Sequence, residues 1–254
     1  MSSGICTEQA PAVALQVSDL SMRFGGLLAV DGVSLSVHER QIVSMIGPNG
    51  AGKTTVFNCL TGFYQPSGGK IMLRGQDITG LPGHQIARRG VVRTFQNVRL
   101  FRGMTAVENL LVAQHRHLKS NMLAGLFKTP GFRQSEKQAL EFAAHWLERM
   151  NLLDVANRSA GTLAYGQRRL EIARCMMTRP SLLMLDEPAA GLNPRETEEL
   201  KELIATLRDE DGMTVLLIEH DMKLVMSISD HIVVINQGRP LADGTPQDVR
   251  NHPE

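Results

Sequence analysis

Hydrophobic residues are grouped along the chain in two different rhythms. Short strand-like runs occupy Val13 to Val17, Val33 to Val37 and Ile42 to Ile46, with turn signals at Gly25-Gly26 and Asp31-Gly32. They predict a β-rich opening. The third run is almost continuously apolar, as expected of a strand buried on both faces, and it passes through a glycine-rich turn into a helix starting near Lys53. Lys70 to Arg74 predicts one more strand. From about Thr105 to Ser159 the spacing becomes helical (Val107, Leu110, Leu111; then Leu140, Ala143, Ala144, Leu147), which predicts an inserted helical subdomain. Within it, Lys119 to Gln134, holding Gly125, Pro130 and Gly131, reads as the loop between helices. From Leu182 strands and helices alternate: strand Leu182 to Leu185, helix from about Arg195, strand Thr214 to Ile218, helix from about Asp221, strand His231 to Ile235. Such alternation predicts an α/β fold with a mostly parallel sheet.

Composition narrows the function classes. With 254 residues and 43% apolar content the chain can fill a substantial core. Lys plus Arg number 27 against 26 Asp plus Glu, so the net charge of +1 lacks the overall basic field of most nucleic-acid binders. Cys6, Cys59 and Cys175 have no metal-ligand spacing and are odd in number, which fits a reducing compartment. No window reaches the roughly 18 uninterrupted apolar residues of a spanning helix, and Met1 to Pro11 lacks the regions of a signal peptide. The expectation is a soluble cytoplasmic chain whose membrane role, if any, comes through a partner.

Gly47-Pro48-Asn49-Gly50-Ala51-Gly52-Lys53-Thr54 satisfies the G-x-x-x-x-G-K-[ST] pattern between a strand and a helix. Glycines let successive backbone N–H groups turn toward phosphates, and the helix N-terminus adds partial positive charge. Lys53 is placed to reach the outer phosphates and Thr54 to ligate Mg²⁺, with Thr55 following as a further nucleotide contact. Such a loop occurs in GTPases, small-molecule kinases and many ATPases, so it constrains the fold more than the function.

A second group sits at strand ends. Leu182-Leu183-Met184-Leu185 runs into Asp186-Glu187-Pro188, two acids at the carboxyl end of a buried strand, where open parallel sheets bind ligands. Asp186 suits Mg²⁺ binding, and Glu187, turned differently, suits polarising a water. His220 follows the strand ending at Ile218 and is a candidate γ-phosphate contact, although position alone fits an ordinary surface histidine equally well.

Leu163-Ala164-Tyr165-Gly166-Gln167-Arg168-Arg169-Leu170-Glu171-Ile172-Ala173-Arg174 resembles the signature motif of ABC ATPases. Gln96 within Arg93-Thr94-Phe95-Gln96-Asn97 resembles the Q-loop, Ala190-Gly191-Leu192-Asn193 the D-loop, and His220 the switch histidine. The resemblance spans about residues 13 to 250. It implies an α/β P-loop NTPase fold, RecA-like, with an N-terminal antiparallel β subdomain and an inserted helical subdomain. Residues 1–254 would form a single ATP-binding domain, 12–95 and 180–250 its nucleotide-binding core, and 97–178 the helical insert with the signature.

The resemblance further implies ATP and Mg²⁺ as cofactors and a head-to-tail pair with a second ATPase subunit, a copy or a related chain. Each ATP would lie on one phosphate loop and under the partner's Ala164, Gly166 and Gln167. Gln96 would sense Mg²⁺ or the attacking water. Phe24 stands where the family stacks an aromatic on adenine, a role and a place in the core being equally compatible with its position. Transmembrane permease subunits would hold the chain at the cytoplasmic face of the inner membrane, with a substrate-binding protein as indirect partner and no nucleic acid. Arg93 to Phe101, Val112-Ala113-Gln114-His115, Asp186 to Pro194, Ile218 to Met222 and Gly244-Thr245-Pro246 are similar to the ATP-binding subunits of branched-chain amino-acid importers, the ATPase of lipopolysaccharide export being the nearest alternative. A soluble ABC protein acting on nucleic acid would call for tandem ATPase domains, a long coiled coil or a basic extension, and a P-loop kinase leaves the signature and Q-loop unexplained.

Two departures stand out against the family pattern. Ala164 replaces the usual serine, and the interval from Gly166 to Ile172 is one residue short. One residue rotates a helix by about 100°, so the signature donors are expected to serve a partner's phosphate poorly. The chain also stops at Asn251-His252-Pro253-Glu254 where relatives continue with a short apolar helix, so some terminal packing is expected to be missing.

Overall fold

Twelve-residue strands β1 (Val13–Phe24) and β2 (Leu27–His38) open the chain and pair antiparallel around the Gly25-Gly26 turn. They are much longer than the five-residue runs predicted for them. Polar Ser18, Asp19 and Ser21 interrupt the apolar pattern of β1, but register shifts there, with Asp19 at φ 50°, keep Leu20 and Met22 turned into the core. After β3 (Ile42–Ile46) and α1 (Lys53–Leu60), β4 (Gly68–Leu73) and β5 (Gln76–Asp77) complete a four-stranded sheet ordered β2-β1-β4-β5. The computed structural model describes residues 12–96, 98–114, 130–163 and 166–252.

Helix α2 (Gly83–Arg88) leads to β6 (Val91–Arg93), and then come α3 (Ala106–Gln114), α4 (Pro130–Arg149) and α5 (Gln167–Met176). The loop expected over Lys119 to Gln134 is corrected at its end: residues 130 to 134 are helical. Residues 119–129 lie outside the described residues. The chain then alternates β7 (Leu182–Asp186), α6 (Pro194–Asp209), β8 (Val215–Ile218), α7 (Met222–Ile228), β9 (His231–Asn236), β10 (Arg239–Gly244) and α8 (Pro246–Arg250). Asn193 caps α6 in a reciprocal box with Glu196, and Pro194 follows at N1, so the end of the Ala190–Asn193 turn and the helix start are set by one local signal.

The second sheet is ordered β10-β9-β3-β8-β7-β6, parallel except for the β9–β10 hairpin. Its edge strands β6 and β10 lack the long apolar run of a central strand, and β10 carries Pro240, which an edge tolerates. The pleat divides the core. Met184, Leu216 and Ile218 pack toward α1 and the antiparallel sheet, while Leu183, Leu185 and Leu217 pack toward α3, α4 and α5. Cys59 and Cys175 are buried free thiols whose pKa burial pushes up to about 11 and about 12. Among the described residues no helix is long and apolar enough to cross a membrane. Every central parallel strand ends at one edge of the sheet, and the candidate residues collect there.

Candidate nucleotide site

The glycine-rich turn Gly47–Gly52 joins buried β3 to α1, and two of its glycines are required by close approach. Gly47 has φ 151°, and a Cβ there would meet the Ile235 carbonyl oxygen at 2.0 Å. Gly52, at φ 103°, would put a Cβ 2.8 Å from the Ala29 carbonyl oxygen. The β9–β10 turn supports the loop from below, its Gly238 N–H donating to the Ala51 carbonyl at 2.9 Å. Gly52 is also the N-cap of α1 and offers no side-chain cap, so first-turn N–H groups remain for a ligand. Lys53 folds back over the loop, its Nζ donating to the carbonyls of Gly47 at 2.6 Å and Pro48 at 3.0 Å. Burial lowers the pKa of Lys53, and the charges of Glu187 and then Asp186 oppose that shift.

A cavity of ≈ 430 Å³ opens above the loop; Asn49 to Thr55 form its floor, Leu27 to Ala29 one wall, and Glu187 and Gln237 its rim. Phe24 is not part of that wall. Its ring stands edge-on to Tyr64, centroids 5.1 Å apart and planes at 79°, and is 40% exposed. Leu27 and Leu28, on the other arm of the same turn, supply the apolar surface instead.

Asp186 ends β7 in the buried sheet. Its N–H donates to Thr94 Oγ1 at 3.3 Å, and its Oδ2 accepts from Arg93 at 2.5 Å. Glu187 has φ 46°, unusual for a residue with a Cβ, and its N–H donates to the Ile218 carbonyl at 2.9 Å. That reversal directs the side chain to the cavity rim, where Gln96 Nε2 donates to Glu187 Oε2 at 2.7 Å. His220 is 62% exposed, two residues beyond Ile218, the register partner of Asp186. Its N–H donates at 3.0 Å to Glu219, whose fully buried carboxylate also accepts from the Ala189 N–H at 2.7 Å. Glu219 therefore ties the loop after β7 to the loop after β8.

The structure thus places Gly47 to Thr55, Glu187 and Gln96 together, with Asp186 adjoining. Gly166 and Gln167 stand apart at the start of α5, Gly166 lining a smaller cavity with Asn151 and Leu192. Ala164 lies outside the described residues. Arg168, second residue of α5, and Glu171, one turn in, grip the backbone around Gln96. Arg168 donates to the Phe95 carbonyl at 2.8 Å, the Gln96 carbonyl at 2.9 Å and Glu171 at 3.1 Å. Glu171 accepts from the Arg99 N–H at 3.3 Å, with the Phe95 N–H at 3.5 Å, and burial raises its pKa.

Sequence reasoning gave no role to Arg93, Arg168, Glu171, Glu219 or Gln237. Glu171 carried a usable signal, an acid inside the run Leu170-Glu171-Ile172-Ala173 that must be buried with it. Arg93 carried another, a cation closing the apolar strand Val91-Val92.

The chain is similar to known proteins. The family model described as ABC transporter matches residues 30–190. The chain is 78% identical over 241 residues to the high-affinity branched-chain amino acid transport ATP-binding protein BraF of Pseudomonas aeruginosa, and 68% identical over 241 residues to LivG of Escherichia coli strain K12, covering 94% of each chain in both comparisons. Among solved structures it superimposes on the ADP conformation of MJ1267, an ATP-binding cassette of an ABC transporter, with TM-score 0.82, 32% identity and 94% coverage of both chains. The phosphate loop, the strand-end acids and these likenesses lead to one family: the chain belongs to the ABC transporter family, as an ATP-binding cassette.

Proposed function

We propose that the chain hydrolyses ATP to power an importer of branched-chain amino acids, paired with a second cassette and held at the cytoplasmic membrane face by permease subunits that receive cargo from a substrate-binding protein. The cavity that joins Lys53, Thr54 and Glu187, with Gln96 bonded to Glu187 at 2.7 Å, carries the catalytic part of this reading. The cargo follows from relatives at 78% and 68% identity.

The α1 N-terminus and loop N–H groups bind the phosphates, and Lys53 transfers its donors from the loop carbonyls to phosphate oxygens. Glu187 accepts a proton from the water whose oxygen bonds to the γ-phosphorus. The bond from that phosphorus to the β–γ bridging oxygen breaks, releasing ADP and phosphate. Gln96 orients the Glu187 carboxylate, and His220 contacts the γ-phosphate from the neighbouring strand end.

The donors for Mg²⁺ are hard oxygens of Thr54, Asp186 and Gln96, which fit that ion. Among the described residues no cluster of three or more His, Cys, Asp or Glu could hold a metal alone, so nucleotide phosphates would complete its shell. When bound, Mg²⁺ neutralises phosphate charge. Gly166 and Gln167 serve the partner's nucleotide, and the shortened signature makes that service weak.

Hydrolysis by the purified chain, alone and assembled with its second cassette and permease, tests the proposal. The expected result is MgATP binding by the isolated chain and turnover that rises on assembly and responds to branched-chain amino acids with the binding protein. Equal turnover with and without the partners would overturn the paired-site reading. Normal turnover of both sites in the assembly would overturn the weak-signature reading alone.

A further inference from the structure

Arg93 is the last residue of β6 and Asp186 the last of β7, parallel neighbours in which Arg93 is in register with Met184. Both side chains are almost fully buried, 6% and 7% exposed. The guanidinium donates to Asp186 Oδ2 at 2.5 Å and to Asn58 Oδ1, on α1, at 2.7 Å. It also lies 5.4 Å from the centre of the Phe57 ring and 5.6 Å from that of Phe95, while its buried Nε has no partner. A cation held by a strand, a helix and two rings cannot swing away cheaply. It remains beside the one carboxylate assigned to the metal.

We infer that Arg93 is a positioning residue that keeps divalent metal out of the nucleotide-free site, so that metal enters only with nucleotide. The inference rests on the reading of Asp186 as a metal ligand and goes beyond it. Around Asp186 and Glu187 the cations Lys53 and Arg93 offset the two carboxylates, and the neighbouring Glu219 carboxylate is taken up by the Ala189 and His220 N–H groups. A divalent cation arriving alone meets no net attraction and competes with a guanidinium for Asp186. The phosphates bring the missing negative charge, and they bring it with the metal. The same bond sets the carboxylate's rotamer, so Asp186 is already oriented when the nucleotide arrives.

Mn²⁺ binding to the full chain, followed by loss of the free-ion paramagnetic resonance signal, tests this without hydrolysis. Without nucleotide, Arg93→Gln is expected to bind Mn²⁺ at least about tenfold more tightly than the unaltered chain, the scale of removing one like charge within 4–6 Å. Adding Asp186→Asn should abolish the gain, and Arg93→Lys, which keeps the charge, should show none. If Arg93→Gln does not fold, Arg93→Met, whose unbranched stem fills the space between the rings, carries the same measurement. No gain in the neutral variants, or a gain that survives Asp186→Asn, overturns the inference. The underlying reading has its own control: ATP-dependent Mn²⁺ binding in the otherwise unaltered chain should weaken in Asp186→Asn, and if it does not, Asp186 is not the ligand.

Discussion

Glu187→Gln is expected to bind MgATP with little loss while kcat in the assembled transporter falls by about 10²- to 10⁴-fold, the usual contribution of a positioned general base. The amide is nearly isosteric with the carboxylate, and its oxygen can accept the Gln96 Nε2 hydrogen bond that Glu187 accepts at 2.7 Å. The turn geometry should survive as well, since the φ of 46° is held by the backbone bond to Ile218. Only the basic oxygen is lost. A second consequence concerns Lys53, whose pKa is lowered by burial and raised by Glu187 and Asp186. Removing the Glu187 charge lowers it further, so the alkaline limit of nucleotide binding should move to lower pH. Single-turnover hydrolysis, with binding followed separately by a fluorescent nucleotide from pH 6 to 10, measures both effects. An unchanged kcat would remove Glu187 as the base and leave His220 to be tested.

How much of this was legible beforehand depends on whether a role is local in sequence. The phosphate loop is local: its spacing, the apolar strand before it and the helix after it are contiguous, and Gly47 and Gly52 take the close approaches that such a loop demands. The position of Asp186 and Glu187 was equally readable, because the apolar run before them marks the buried strand that they end. The helix from about Arg195 was legible as well, and its cap at Asn193 is a finding of the structure.

What was hidden depends on pairs far apart in the chain. Arg93 meets Asp186 across 93 positions, and Arg168 meets the Phe95 and Gln96 carbonyls across 73 and 72. No periodicity encodes such distances. Phe24 illustrates the same limit: its position fits a base-stacking aromatic, and in the structure its ring lies edge-on to Tyr64, 40 residues later. The length of β1 was missed because polar residues normally end a strand, whereas here bulges absorb them.

Glu171→Ala is expected to cost about 3–5 kcal/mol of stability, because it removes the buried carboxyl that accepts from the Arg168 guanidinium and the Arg99 N–H. Against a total of about 5–15 kcal/mol this lowers Tm by roughly 10 °C. Glu171→Gln should cost far less, and the reason lies in the sign of the shift. Burial raises the pKa of Glu171, so its ionised form is the disfavoured one in the folded state and a neutral side chain of the same shape avoids that penalty. The stability associated with the raised pKa is fully present below the ordinary carboxylate value and is lost as pH rises through the folded one. Thermal melts from pH 4 to 8 should therefore place Glu171→Gln nearest the unaltered chain at low pH, where native Glu171 is protonated and resembles Gln, and the deficit of Glu171→Ala against the unaltered chain should be largest there. Turnover should separate the variants from a purely structural effect. Arg168 holds the Gln96 carbonyl at 2.9 Å and Gln96 holds Glu187 at 2.7 Å, so a loosened clamp that moves Glu187 is expected to lower kcat even at temperatures where the protein is folded. Equal melts for Ala and Gln would show that the acceptor oxygens of residue 171 are not what holds Arg168 and the Arg99 N–H, and an unchanged kcat in the folded Ala variant would uncouple α5 from Glu187.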